Sequence, residues 1–485
     1  MIVSFFLHIY QPENQFDDVL DRIVNESYRP IFRFLNDNPK ATLTFNISGV
    51  LLELWDKKGY RDLIDTVNTL LKRGQIELTG TAKYHAFLPL IPKSEVERQV
   101  MLNFETSKFY FGEFYKPQGF FAPEMSYSPK IAEVAKSFGY KYIVADQIAF
   151  NGSLESNPFN SIASIGGVGV DIYFRHKNLS NLIMGANFQN TKLLISTISN
   201  YEKEIDNNNQ GYALLAMDGE TFGHHRVGLE NTLFGALTSK KLITVKVQDI
   251  KKHISSVREV VPVDSTWASS QKELEEGTPF KLWFNPDNQI HKLQWELTDL
   301  AIYVVNEAKS RTLLDSALYS CHYWWASANP WWSIEMIEKG AYGLYLSITA
   351  SNKASIKTKE RALELYQQII TTAFSWQRTG YVREIAKNTS SWKKIPFSIR
   401  GKKGEMEALL DLLLQQEKQC IKKREYEQAI RWRDAQYKLK NNLDIYDAVH
   451  VIDQLRTTEI FKKYPALVNK YASKLNKISS GQPEK

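Results

Sequence analysis

Cysteine is almost missing from this chain. Its 485 residues include two, Cys321 and Cys420, far apart, so no disulfide framework organises the fold. Long apolar runs are missing too. No stretch approaches the ~20 residues that cross a bilayer, which sets a membrane-spanning role aside. The opening segment, MIVSFFLHIYQP, has neither a basic n-region nor a small-residue cleavage site, so it reads as a strand and not a secretory signal. These absences point to a cytoplasmic protein. Excess charge of one sign is scarce: the net charge is +7, with charged residues interspersed, and no basic tract argues for nucleic acid. The common metal-site spacings CxxC, HExxH and His-x-His do not occur. Neither does a P-loop or GxGxxG. Gly166-Gly167-Val168-Gly169 is a glycine-rich turn without the strand-to-helix setting a phosphate loop needs. No cofactor is called for.

Aromatic residues are plentiful, at 12% of the chain with 11 Trp and 24 Tyr. Core packing is the commoner use of such residues, and surfaces that stack on sugar rings are the other. The length suggests two or three domains.

Seven short β-rich runs can be read between residues 2 and 217: 2–7, 41–47, 75–79, 119–122, 140–145, 170–174 and 212–217. Most are followed by helical spacing, as at 17–36, 50–55, 63–71, 93–108 and 129–138, the last closed by Gly139 as a C-cap. This alternation implies a parallel sheet with helices outside it. In closed βα barrels the active site lies at the C-terminal strand ends. His8, His85, Glu124, Asp146, Arg175, His176 and Asp218 all fall at such ends or in the loops just after them. Beyond about residue 270 the pattern is nearly all helical: Ile290 onwards, 313–325, 334–346 after a break at Pro330, 357–374 and 405–440. The expected division is a catalytic barrel over 1–270, a helical domain over 271–400 that completes the cleft, and a charged helical hairpin and tail over 401–485. The polar end, Ser479–Lys485, reads as disordered.

Two acids stand out. Asp218 ends the run Tyr212–Met217, and Glu220, Phe222, Gly223, His224 and His225 crowd the loop after it. Glu124 follows the aromatic run Gly119–Phe121 and Pro123. Two carboxylates at two strand ends are the minimum equipment for cleaving a glycosidic bond. The plainer readings are a solvated or capping acid pair for Asp218 and Glu220, and an N-cap or surface acid for Glu124. His8, beside Gln11 and Pro12, and His85, beside Tyr84, are either core histidines or donors to sugar hydroxyls. In SCHYWWASANPWWS (Ser320–Ser333), Trp324 is one of four tryptophans on a helical aromatic stripe. Trp331 and Trp332 follow the interruption, where a helix start can reach a cleft. A metal site from Asp146, His85 and His176 is the competing use of the same loops.

In this order, these blocks resemble glycoside hydrolase family 57. His8-Ile-Tyr-Gln11-Pro12 looks like the family's first block, with Tyr10 in place of a second histidine. Gly74–Pro92, with Tyr84 and His85, looks like the second. Gly119–Tyr127 looks like the third, with Phe121 where Trp is common, and Asp218–His224 like the fourth. A segment from Phe174 to Ile183 carries His176 where Asp is frequent. The resemblance covers about residues 1–350. It implies an α/β fold, an incomplete (β/α)7 barrel followed by an all-helical C-terminal domain. It also implies a retaining enzyme on α-glucans such as starch, glycogen or maltooligosaccharides, of α-amylase, glucanotransferase or branching type. Glu124 would be the nucleophile and Asp218 the acid/base, with no metal. His8, Gln11, Tyr84, His85, Phe121, Asp146, Glu220, His224, Trp267, Trp324, Trp331 and Trp332 would bind substrate. The rival readings are a carbohydrate-binding homologue without turnover and a metal-dependent polysaccharide deacetylase on a similar barrel. Residues 420–439 faintly resemble the helical-hairpin motif of the UvrB and UvrC repair proteins. That implies a protein partner or self-association through the C-terminal helices, against a plain charged helix pair.

Overall fold

The computed structural model describes residues 1–185, 191–205, 211–305, 307–329, 331–387, 396–444, 455 and 458–479. Its strands are β1 (Ile2–Ile9), β2 (Leu43–Ile47), β3 (Ile76–Leu78), β4 (Gly119–Phe120), β5 (Tyr142–Asp146), β6 (Ile162–Ile165), β7 (Asp171–Arg175), β8 (Tyr212–Asp218), β9 (Ile243–Thr244) and β10 (Val257–Val260). Seven of them, β1 to β5, β7 and β8, run parallel around a ring. Two seams in the ring are thin. Between β3 and β4 there is one bridge, Gly80 with Phe120, and between β7 and β8 one pair, Arg175 with Leu214. Gly80 is required at its seam, because a Cβ there would lie 2.1 Å from the Tyr140 hydroxyl. The architecture is an incomplete (β/α)7 barrel followed by helices.

Alternation along each strand sets its two faces. In β1, Val3, Phe5, Leu7 and Ile9 pack outward into one core with Leu20, Ile23 and Phe32 of the surrounding helices. Ile2 and Phe6 face the barrel interior, in a core with Phe120, Phe121 and Phe174, and Ser4 and His8 share that face. Both faces of β1 are buried, as expected of a parallel sheet covered by helices. The bottom of the barrel is closed around buried Glu77, which accepts from the Tyr142 hydroxyl at 2.5 Å, Thr44 Oγ1 at 3.0 Å and the Gln248 amide at 3.1 Å. Burial pushes this carboxyl up to about 7.

The sequence reading missed three strands. β6 runs antiparallel to β7 and β10 runs parallel to β6, outside the ring, while β9 pairs with β1. The glycine-rich turn 166–169 joins β6 to β7, with Gly167 and Gly169 at positive φ. The single helix expected over 17–36 is interrupted by a π-helical turn, Val24–Tyr28, between Asp17–Ile23 and Arg29–Asp37. The helix expected over 313–325 is two, Ala308–Ala317 and Cys321–Ala326. The break forms because Tyr319 pairs with Ala86 and the Ser320 amide donates to the His85 carbonyl at 2.9 Å. Gly139, at φ 80°, closes its helix as expected.

Helices Gln289–Val304, Ile334–Thr349 and Ile356–Thr379 pack with these two beside the barrel mouth. Glu405–Lys422 and Tyr426–Lys440 form a hairpin and, with Tyr464–Ser479, have a small core of their own around Leu409, Leu412, Trp432 and Leu439. None of the described helices is long and apolar enough to cross a membrane. Pro330 and residues 480–485, on which the expected break and disordered end fall, lie outside the described residues.

Candidate active site

Parallel register carries one row of polar side chains across the C-terminal end of the barrel. His8 pairs in register with Asn46 on β2 and with Asp218 on β8. His8 Nδ1 lies 2.8 Å from Asn46 Oδ1, and Asn46 Nδ2 donates to Thr79 Oγ1 at 3.1 Å. These side chains point inward because the odd neighbours are committed to the outer core.

Glu124 arrives differently. After β4 the chain turns through Pro123–Met125, with Glu124 at φ 62° and Met125 at φ 49°. Left-handed backbone at non-glycine residues costs on the order of 1–3 kcal/mol and collects at functional sites. The turn is held from outside: the Trp267 amide donates to the Glu124 carbonyl at 3.2 Å. The carboxylate accepts from Trp267 Nε1 at 3.0 Å and from Ser320 Oγ at 3.3 Å. His85, itself at φ 59°, has Nδ1 4.0 Å from the same carboxylate.

Glu124 and Asp218 line one cavity of about 460 Å³, with His8, Tyr10, Gln11, His85, Arg175, Glu220, Trp267, Cys321, Trp324 and Trp331 among its walls. Burial and the charge of Asp218 push Glu124 up to about 8. Burial pushes Asp218 up to about 6 against the pull of Arg175, and burial together with Asp218 lifts Glu220 to about 7. Arg175 is fixed by the Ala216 carbonyl at 2.8 Å, Asp146 at 2.9 Å and Asn181 at 2.8 Å. The π-helical turn clamps the loop after β8. Ser27 Oγ donates to the Gly219 carbonyl, Tyr28 donates to Glu220, and Glu26 meets His224. A Cβ on Gly223 would lie 1.9 Å from the Glu26 carbonyl oxygen, so only glycine lets the two segments touch.

Nine of the expected site residues meet in this cavity: Glu124, Asp218, His8, Gln11, His85, Glu220, Trp267, Trp324 and Trp331. Five lie elsewhere. Tyr84 lines an adjoining pocket of about 180 Å³ that shares Tyr10. Phe121 is buried beneath His8, with ring centroids 5.0 Å apart. Asp146 is buried with its carboxylate on Arg175 and Lys177, so it positions Arg175. His224 is held by Glu26, and its neighbour His225 lines the cavity instead. Trp332 stacks on Trp376 at 6.0 Å. His176 stacks on Phe159 and caps the helix Lys177–Met184, so Asp146, His85 and His176 do not converge. Sequence reasoning missed Ser320, Cys321, Trp325 and Asn46. Asn46 was legible in principle, at an inward position two residues after Thr44 in β2.

The family model described as Glycosyl hydrolase family 57 matches residues 5–262. The Alpha-amylase 1 of Dictyoglomus thermophilum is 27% identical over 224 residues, 45% of this chain and 31% of its own length. The 4-alpha-glucanotransferase of Thermococcus litoralis is 27% identical over 253 residues, 50% of this chain and 37% of its own length. The chain therefore spans about a third of the length of these curated relatives. Among solved structures, a GH57 branching enzyme from Thermococcus kodakaraensis shares the fold at TM-score 0.59 and 13% identity, over 77% of this chain and 96% of that one. The 4-alpha-glucanotransferase of Thermococcus litoralis shares it at TM-score 0.56 and 20% identity, over 72% and 58%. The family pattern covers more than half of the chain and contains both acids of the cavity, and the chain belongs to glycosyl hydrolase family 57.

Proposed function

We propose that this protein is a retaining glycosidase or glucanotransferase acting on α-glucans by double displacement. One observation carries the reading. Three carboxylates line one cavity, and of the two at the strand ends, Glu124 is gripped by hydrogen-bond donors and Asp218 is not, among the described residues, while Glu220 is tied to Tyr28 and Gln11. The donors favour the charged form a nucleophile needs, and they work against the burial and the Asp218 charge that push Glu124 up to about 8. Asp218, partly exposed and without such donors, has its carboxyl pushed up to about 6, which suits a group that gives a proton to the leaving oxygen and takes one back. Glu124 attacks the anomeric carbon as Asp218 protonates the departing sugar. Asp218 then takes a proton from water or an acceptor hydroxyl, which displaces Glu124. A carboxyl separation of about 5–5.5 Å suits this course. Residues 1–270 would supply both acids, 271–400 would complete the cleft with Ser320 and the tryptophans, and 401–485 would form an appendage open to a protein partner or to self-association. The names of the relatives, an amylase and a glucanotransferase, support α-glucan as the substrate class.

The test separates the two roles. Glu124→Gln should lose activity on every substrate, including aryl glycosides and glycosyl fluorides. Asp218→Asn should be glycosylated quickly by those donors and then stall, since no base activates water. General acid–base help is worth ~10²–10⁴-fold, so the contrast is large. Azide should rescue Asp218→Asn with a product of retained configuration. Rescue of Glu124→Gln with inverted product, while Asp218→Asn behaves as wild type, would move the acid/base role to Glu220.

A further inference from the structure

We infer that Ser320, His85 and His8 form a proton relay that takes the proton off Glu124 and stores it on His8 while the carboxylate reacts. The inference rests on Glu124 being the nucleophile. The links are continuous: Glu124 Oε1 to Ser320 Oγ at 3.3 Å, Ser320 Oγ to His85 Nδ1 at 2.9 Å, His85 Nε2 to His8 Nε2 at 3.0 Å, and His8 Nδ1 to Asn46 Oδ1 at 2.8 Å.

The far end fixes the tautomers. Asn46 Nδ2 donates to Thr79, so Asn46 presents its oxygen to His8, and His8 Nδ1 must carry a hydrogen. Two ring nitrogens 3.0 Å apart share a single proton. Two arrangements then satisfy every link. In the first, Glu124 is a carboxylic acid donating to Ser320, Ser320 donates to His85 Nδ1, and His85 Nε2–H donates to neutral His8. In the second, each hydrogen has moved one place. Glu124 is a carboxylate accepting from Ser320, His85 Nδ1–H donates to Ser320, and His8 is an imidazolium donating through both nitrogens. The two forms contain the same number of protons and the same net charge. Passage between them needs no water and no exchange with solvent.

The cavity gives the relay a purpose. Burial lifts Glu124 to about 8 and holds His8 at about 4, so at neutral pH the pair rests in the neutral form. A nucleophile that had to release its proton to solvent would be mostly inactive at neutral pH. The relay releases the carboxylate internally as positive charge develops on the sugar. Once Glu124 is esterified and Asp218 has given up its proton, the His8 imidazolium sits on the strand beside Asp218 and balances it. The other titratable groups facing the relay are Asp218, Tyr10 and Cys321. Tyr10 stacks on His85 at 4.0 Å, and burial keeps its hydroxyl and the Cys321 thiol neutral, the latter pushed up to about 12. The Arg175 guanidinium bears on Asp218.

The test reads the acidic limb of kcat/KM against pH with an α-glycosyl fluoride, a donor whose leaving group needs no help from Asp218. Ser320→Ala breaks the relay, and the limb should rise by one to two pH units, which at pH 6 is a loss of about 10–100-fold. Ser320→Thr keeps a hydroxyl and should leave the limb in place. Asn46→Asp sets a carboxylate on His8 Nδ1–H, stabilises the imidazolium, makes the second proton easier to bind, and should raise the limb. Asn46→Leu removes the acceptor and should lower both the limb and the plateau rate. Asn46 does not line the cavity, so opposite shifts from its two variants cannot come from lost substrate contact. Thermal melts check that each variant is folded, and Ser320→Ala alone decides if the Asn46 variants do not fold. Uniform loss of rate with an unmoved limb overturns the relay. If the azide pattern of Glu124→Gln and Asp218→Asn fails instead, it is the nucleophile assignment that falls.

Discussion

Trp331 and Trp332 are neighbours in sequence with different surroundings. The sequence expectation gave both a place in the cleft, because both follow the interruption after Trp325. Trp331 lines the cavity 5.5 Å from Trp324, centroid to centroid, while Trp332 turns away to stack on Trp376. Periodicity cannot separate adjacent residues outside a regular helix, since the facing of each depends on the local backbone. Their alanine variants should differ accordingly. Trp331→Ala should weaken long maltooligosaccharides by about 1.5–3 kcal/mol of lost apolar burial, on the order of tenfold or more in kcat/KM, and spare short ones. Trp332→Ala should lower the melting temperature, at a cost of about 2 kcal/mol for a half-buried ring, and leave the chain-length preference unchanged. Kinetics on a graded series of oligosaccharides, with a melt for each variant, checks both. Equal loss on all lengths for Trp331→Ala would return that residue to the core.

At the scale of elements, the strands were legible and the joints between helices were not. Short apolar and β-rich runs marked β1, β2 and β8, and in the structure each has a polar residue at its inward end: His8, Asn46 and Asp218. β6 and β10 were missed because each is only four residues long and adds to the sheet outside the ring, away from the βα alternation. The break at 318–320 carries no Gly or Pro. It is imposed by pairing with Ala86 and His85, a tertiary override of helix propensity, and it is what delivers Ser320 and Cys321 to the cavity. What pins that break is a charge cluster. Asp315 accepts from Arg98 at 2.6 Å and from Arg311 at 3.1 Å, and Arg311 also pairs with Glu95. Asp315 and Glu95 are buried, whereas Arg98 is partly exposed. Asp315→Ala leaves two guanidiniums without their common partner and should cost ~3 kcal/mol, the range for breaking a buried pair. Asp65→Ala, which removes an exposed partner of Arg61 at 3.9 Å, should leave the melt unchanged. Calorimetry on the two variants tests the contrast, and equal melts would mean the cluster does not hold the helices to the barrel.

For the whole molecule, the buried titratable groups fix how stability follows pH, and the two kinds pull in opposite directions. His8, His85, His176, His291 and His322 are all held below their ordinary value by burial, to about 4, well below, about 4, about 4 and about 3. Between those values and 6.5 the unfolded chain binds their protons and the folded chain does not, so this set makes stability rise with pH and is spent above 6.5. The carboxyls of Asp218, Glu77, Glu220 and Glu124 are raised to about 6, 7, 7 and 8. Above their unfolded values the folded chain holds protons the unfolded chain has lost, so this set makes stability fall as pH rises. From pH 4.5 to 6 the two sets nearly cancel. Beyond 6.5, of these described groups, Glu77, Glu220 and Glu124 are still titrating, and the buried histidines no longer oppose them. Stability should therefore peak near pH 6–6.5 and fall toward pH 8.5, with each proton worth up to about 1.4 kcal/mol per pH unit while it titrates. Denaturant melts across pH 4.5–8.5 measure the curve. Glu124→Gln removes the carboxyl with the highest value; it should flatten the fall between pH 7 and 8 and, between pH 4.5 and 6.5, let stability rise with pH more steeply than in wild type. A curve that is flat or rising from pH 6.5 to 8.5 would mean that the barrel mouth admits water freely and does not desolvate its acids.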